Sequence, residues 1–233
     1  MQKNILITGK PKSGKSTLLR TLITPIQNKV GLVADEVLGE EGRIGFDVET
    51  HTGAKVPLAR VDIETPYRVG RYFVDIKSLD SIIPEVSRFT SDDLLYLDEI
   101  GQMQLLSEKF KKLVTTYLDA SNTCIATISN VFEDDCIKSV KERDDIILVE
   151  ISPEDREERA QFISQLLRKI EKAKKYVLEP ERFSIQGSVC EMRSEHDTRR
   201  LVFAESKWQC DCDFYKKYST CSHVIAVTEI ARK

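Results

Sequence analysis

The sequence predicts an α/β layered fold with a small ββα unit at its C-terminal end. Three observations carry that prediction. Strand-like apolar runs alternate with helical stretches as far as Ile151. A glycine-rich turn, GKPKSGKST (residues 9–17), stands between an apolar strand pattern, NILIT, and TLLRTLI, which has helical spacing. Three cysteines and a histidine cluster near the C-terminus as C-x-C and C-x-H pairs.

Length and composition bound the answer. The chain has 233 residues, 41% of them hydrophobic, enough for one large domain or a domain with an appendage. A formal net charge of −3 excludes a global basic field drawing the chain to nucleic acid. No apolar stretch has the length of a membrane span, and the first apolar run ends at the glycine-rich turn rather than at a signal-peptide cleavage site. Of six cysteines, Cys210, Cys212 and Cys221 cluster with His223, whereas Cys124, Cys136 and Cys190 are scattered. That usage favours a metal site in a reducing, cytoplasmic compartment over a disulfide framework.

The chain then reads in order. Asn4–Thr8 is the first strand. The turn fits G-x-x-x-x-G-K-[ST], with Gly9, Gly14, Lys15 and Ser16 at the fixed positions. Lys10, Pro11, Lys12, Ser13 and Thr17 complete the loop. Its backbone N–H groups converge on one point, and the helix starting there adds its positive dipole end, so the loop is a cradle for the phosphates of a nucleoside triphosphate. Lys15 reaches the β- and γ-phosphates, the Ser16 hydroxyl holds Mg²⁺, and Thr17 reaches the α-phosphate. A helix follows over 14–26. Val30–Leu38 and Arg43–Thr50 read as a hairpin around the turn GEEG, and AKVPLARV and GRYFVDI as further short strands. This β-rich section gives way to a helix over 78–89.

The apolar run Leu94–Leu97 ends in Asp98 and Glu99. A buried strand delivering two carboxylates at its C-terminal end is the second signature of phosphate-loop nucleotide hydrolysis. Asp98 holds Mg²⁺ through water, and Glu99 orients and deprotonates the attacking water. A helix over 107–120 and a strand over 122–129 follow. Thr127 and Ser129 end that strand in reach of the γ-phosphate, and Cys124 lies inside it as a core residue. Asp144–Ile151 is the last strand of this half. Ser152 and Pro153 have the chemistry of an N-cap and first helical residue. The helix they open is acid-rich at its start and base-rich at its end, with an apolar stripe of Phe162, Leu166, Leu167 and Ile170.

Beyond Tyr176 the reading is two strands around a turn at 194–197, then a short helix from Cys221. Cys210, Cys212, Cys221 and His223 supply three thiolates and one imidazole, a complete tetrahedral shell for structural Zn²⁺. A unit this small gains from a metal staple the folding free energy that its core cannot supply. The expected organisation is residues 1–152 as the nucleotide-binding domain, 153–178 as a connecting helix, and 179–233 as the zinc unit.

Several blocks resemble the thermophilic nucleoside-triphosphatase family, which includes the human cancer-related nucleoside-triphosphatase. They are ADEVLGEEGRIGF (with Glu36, Val37, Arg43, Gly45 and Phe46), VGRYFV and LDEIGQMQLLSEKF, and the resemblance spans residues 1–156. Gln102 and Gln104 stand where the family pattern has Lys and Glu, so one charge pair beside Glu99 is missing. The resemblance implies a RecA-like, mostly parallel sheet with another strand between the phosphate-loop strand and the Asp98 strand. It also implies slow hydrolysis of NTPs to NDP and phosphate with little base selectivity. The tail resembles the SWIM zinc finger, C-x-C-x(n)-C-x-H, over residues 183–232, which implies a nucleic-acid or protein partner. Two other functions fit the same motifs. One is a phosphate-loop kinase using Arg60, Arg68 or Arg71 in a lid. The other is a non-catalytic adaptor in which nucleotide positions the finger.

Overall fold

The computed structural model describes residues 1–232 and divides them into two compact units. One comprises residues 3–160 and the other residues 1–2 with 161–232.

The larger unit is built on a nine-stranded sheet. Its chain order is β1 (Asn4–Thr8), α1 (Lys15–Ile23), β2 (Lys29–Gly39), β3 (Gly42–Thr50), β4 (Lys55–Arg60), β5 (Arg68–Val69) and β6 (Tyr72–Val74). Then come α2 (Ile76–Val86), β7 (Leu94–Ile100), α3 (Glu108–Asp119), β8 (Cys124–Ile128), α4 (Asp135–Lys141) and β9 (Ile146–Glu150). The strand order is β5-β6-β4-β3-β2-β7-β8-β1-β9. β2, β7, β8, β1 and β9 are mutually parallel, and β8 lies between β1 and β7.

Burial on both faces explains why the central strands read as unbroken apolar runs: every residue of β1 and of β8 is buried. α2 and α3 supply part of the cover with Leu79, Ile82, Ile83, Phe110, Leu113 and Tyr117. Each is started by a side-chain cap. Asp75 accepts from the Ser78 N–H at 3.0 Å, and Ser107 accepts from the Phe110 N–H at 3.0 Å.

The β-rich section adds to this sheet: β3, β4, β6 and β5 continue it antiparallel beyond β2. α4 was not expected from sequence; its seven residues are too few to show a helical stripe. The helix expected to open at Pro153 is regular only from Arg156, as α5 (Arg156–Val177). Its cap chemistry is nevertheless in place. The Ser152 N–H donates to Asp155 Oδ1 at 2.7 Å, and Ser152 Oγ accepts from the Asp155 N–H at 3.3 Å, a reciprocal box.

The smaller unit differs from the expected ββα arrangement. It has four antiparallel strands in sequence order, β10 (Phe183–Gln186), β11 (Val189–Arg193), β12 (Thr198–Ala204) and β13 (Lys207–Cys210), followed by α6 (Asp213–Tyr218) and α7 (Ser222–Ile230). Two-residue turns split each expected strand. Gly187 has φ 59°, and Glu205 and Ser206 both have positive φ, as a primed hairpin turn requires. Glu-Ser lacks the Asn-Gly or Asp-Gly signature, so the second turn is silent in sequence. Cys190, Met192, Leu201 and Trp208 from the sheet are buried in this unit, as are Ile163, Leu166, Ile170 and Tyr176 from α5. Among the described residues no helix is long and apolar enough to cross a membrane.

Candidate functional site

The residues singled out from sequence between 9 and 99 meet at the C-terminal ends of β1 and β7. The loop's shape depends on two glycines. At Gly9 (φ 150°) a Cβ would stand 2.4 Å from the Ile151 carbonyl oxygen and 2.9 Å from Ser13 Oγ. Gly14 takes the left-handed conformation (φ 91°) that opens α1. Ser13 is buried, and its hydroxyl has no partner among the described residues. Lys15 donates back to the Gly9 carbonyl at 3.0 Å and the Lys10 carbonyl at 3.3 Å.

β7 brings the two carboxylates to this loop. Ser16 Oγ donates to Asp98 Oδ1 at 3.0 Å, and Lys15 Nζ lies 3.9 Å from Glu99 Oε1. Asp98 is 1% exposed, and Thr127 at the end of β8 also donates to its Oδ1. Burial pushes the Asp98 carboxyl above the ordinary range, against the opposing pull of the Thr127 and Ser16 hydrogen bonds. Burial also raises Glu99, with Lys15 opposing and Asp98 reinforcing the shift. Asp98 Oδ2 is buried without a hydrogen-bond partner among the described residues. An anionic oxygen in that situation, beside a serine hydroxyl, suits a divalent cation such as Mg²⁺.

The site opens into a cleft of about 410 Å³. Lys15, Ser16, Asp98, Glu99, Gln102 and Ser129 line it, and Arg43 and Phe46 of β3 reach it from the antiparallel edge. Ser129 thus lines the same cleft as Lys15 and Glu99. Thr127, expected to face the γ-phosphate, instead spends its hydroxyl on Asp98. Arg60, Arg68 and Arg71 are not among the residues lining the cleft. Arg60 pairs with Asp47 and donates to the Phe46 and Ala59 carbonyls. Arg43 donates to the Tyr72 hydroxyl at 2.9 Å, pairs with Glu36 and stands 4.7 Å over the Phe46 ring. Sequence reasoning placed Arg43 and Phe46 in a resemblance block without assigning them to the cleft. Their only sequence signal was the Arg-x-Gly-Phe spacing. Cys124 is fully buried, and burial raises its thiol to about 12, which makes it an inert core residue.

In the smaller unit, the ligand atoms of Cys210, Cys212, Cys221 and His223 all lie within 4.8 Å of one another. His223 Nδ1 is 3.6 Å from Cys210 Sγ and 3.8 Å from Cys221 Sγ. A tetrahedral ion with ordinary metal–sulfur and metal–nitrogen bond lengths needs an S···N edge of about 3.6 Å. Cys212 and Cys221 cap α6 and α7, accepting from the Tyr215 and Val224 N–H groups at 3.4 Å each. Three thiolates this close ionise together only around a cation, so the donor set fits a resident metal.

A mixed, mostly parallel sheet with a phosphate-binding loop after one strand and a carboxylate pair at the end of another defines a P-loop NTPase. The profile of the NTPase family matches residues 4–166, and the chain belongs to that family. The nucleoside-triphosphatase THEP1 of Thermotoga maritima is 40% identical over 154 residues, covering 65% of this chain and 88% of that protein. The human cancer-related nucleoside-triphosphatase is 33% identical over 140 residues, 54% of this chain and 74% of that one. The crystal structure of THEP1 from the hyperthermophile Aquifex aeolicus superposes with a TM-score of 0.64 at 28% identity, covering 70% of this chain and 98% of that chain.

Proposed function

We propose that the chain is a Mg²⁺-dependent nucleoside-triphosphatase that converts NTPs to NDP and phosphate with little base selectivity. The observation that carries this reading is the convergence of Ser16 with Asp98, and of Lys15 with Glu99, in one cleft. The backbone N–H groups of residues 9–17 cradle the phosphates. Lys15 exchanges its loop carbonyls for the β- and γ-phosphate oxygens. Glu99 takes a proton from water as the water oxygen bonds to the γ-phosphorus. The bond from that phosphorus to the bridging oxygen breaks, and its electron pair leaves with NDP. Burial makes Glu99 a stronger base than an exposed carboxylate. Ser16 and Asp98 would hold Mg²⁺, which supplies charge neutralisation on the phosphates when bound. Every contact assigned to the loop is to phosphate or to Mg²⁺, none to a base, and the relatives are named for nucleoside triphosphates without a base. Both support base tolerance.

Residues 153–178 would then connect this domain to a SWIM-type zinc finger over 179–233 that binds nucleic acid or protein. The spacing of its four ligands and their mutual distances support the metal site of that unit.

Phosphate release from ATP, GTP and CTP with Mg²⁺ tests the hydrolase. Glu99→Gln is expected to lower turnover by about 10²–10⁴-fold with nucleotide binding kept, and Lys15→Ala to lose binding as well. Wild-type release no faster than that of Glu99→Gln would refute the reading.

A further inference from the structure

The cleft accounts for the γ-phosphate end of a bound nucleotide and leaves its base unassigned. The segment after β9 is pinned beside the phosphate loop. The Ile151 N–H donates to the Thr8 carbonyl at 2.9 Å, and the Ser152–Asp155 box fixes the turn that follows. The next residue is Arg156. A Cβ placed on Gly14 would stand 2.7 Å from Arg156 Nη1 and 2.9 Å from its Cδ, so this side chain lies directly on the loop where glycine leaves room.

Arg156 is exposed, and its guanidinium makes no hydrogen bond, ion pair or ring contact among the described residues. By contrast Arg20, Arg43, Arg60, Arg143 and Arg159 are each paired with a carboxylate. Arg156 is also absent from the cleft that Lys15, Ser16 and Glu99 line. It therefore flanks the loop at Gly14, outside that cleft.

We propose that Arg156 is the nucleobase contact of this site, its guanidinium plane stacking on the base of the bound nucleotide. The proposal rests on the reading that residues 9–17 hold a nucleotide. A guanidinium is planar and weakly hydrated, and it stacks on any π face without reading the base edge. Such a contact adds affinity for every nucleotide and separates bases only by ring area. It is the kind of recognition a base-tolerant enzyme needs.

Calorimetric titration with ADP, CDP and inorganic tripolyphosphate tests this without turnover. Arg156→Ala is expected to weaken ADP binding about 5- to 30-fold, to weaken CDP less, and to leave tripolyphosphate unchanged. Arg156→Lys keeps the charge without the plane and is expected to recover little. Equal weakening of ADP and tripolyphosphate would show a phosphate contact and overturn the proposal, as would unchanged ADP binding in Arg156→Ala or full recovery in Arg156→Lys. A wild type that binds none of the three would overturn the nucleotide site itself.

Discussion

Asn4 sets the start of the central strand, and its replacement separates hydrogen bonding from size. It is 0% exposed. Its Nδ2 donates to the Leu118 carbonyl at 3.0 Å and to Asp145 Oδ2 at 3.1 Å, and its Oδ1 accepts from the Cys124 N–H at 3.2 Å. One amide thus ties β1 to the end of α3, the start of β8 and the loop before β9. In Asn4→Ala the Leu118 carbonyl keeps Lys3, and Asp145 keeps Arg143. The buried Cys124 N–H is left unpaired, which costs about 1–3 kcal/mol. With the small cavity added, the loss is about 2–4 kcal/mol. Asn4→Asp keeps an acceptor for Cys124 and leaves no cavity, yet it turns a carboxylate toward a carbonyl and a second carboxylate. Lys3 and Arg143 stand nearby but are already committed to Asp145, so the second buried carboxylate lacks a partner of its own, at a cost of up to about 3–5 kcal/mol. The aspartate is therefore expected to be the worse variant at pH 7, with the gap closing as acid protonates it. Urea unfolding followed by far-UV circular dichroism measures both. Trp208, the single tryptophan, reports separately on the smaller unit. An Asn4→Asp protein as stable as wild type at pH 7, or more stable than Asn4→Ala, would refute the reasoning.

Other outcomes follow from the same geometry. Gly9→Ala should lose nucleotide binding, because its Cβ would meet the Ile151 carbonyl at 2.4 Å on a backbone that an L side chain rarely adopts; titration with ADP checks this. For Asp145, burial raises the carboxyl, but hydrogen bonds and charge from Arg143, with the charge of Lys3, outweigh it and hold the group below the ordinary aspartate range. A carboxyl depressed in the folded state stabilises it above its unfolded value and ceases to do so as pH falls through the folded value. Stability should thus decline below about pH 5, and Asp145→Asn should flatten that acid limb in urea midpoints measured from pH 7 to 3. Metal analysis should return about one zinc per chain. Chelation or Cys212→Ser should lower the thermal midpoint reported by Trp208, and a folded, zinc-free protein indifferent to Cys212→Ser would exclude the site.

Most of the phosphate-binding half was legible because its signals are local. The spacing from Gly9 to Ser16 encodes a loop closed within a few residues, and the run into Asp98 and Glu99 encodes a strand end. The four-stranded sheet of the smaller unit was not, because the φ values of Glu205 and Ser206 leave no compositional mark. Thr127 was read as a phosphate sensor because a polar strand end looks alike whatever it faces. Only the β7–β8 register turns its hydroxyl to Asp98.

The sequence by itself determined the chemistry available: a loop of phosphate-binding pattern, a carboxylate pair, and three thiolates with an imidazole at metal spacing. It determined these because each rests on residues close together in the chain. The tertiary structure alone decided which groups meet. Pairing of β8 between β1 and β7 sets Ser16 against Asp98 across 82 positions, and the turn after β9 lays Arg156 on Gly14. Those approaches depend on strand order and register, which follow from packing of the whole sheet and leave no pattern in any single segment.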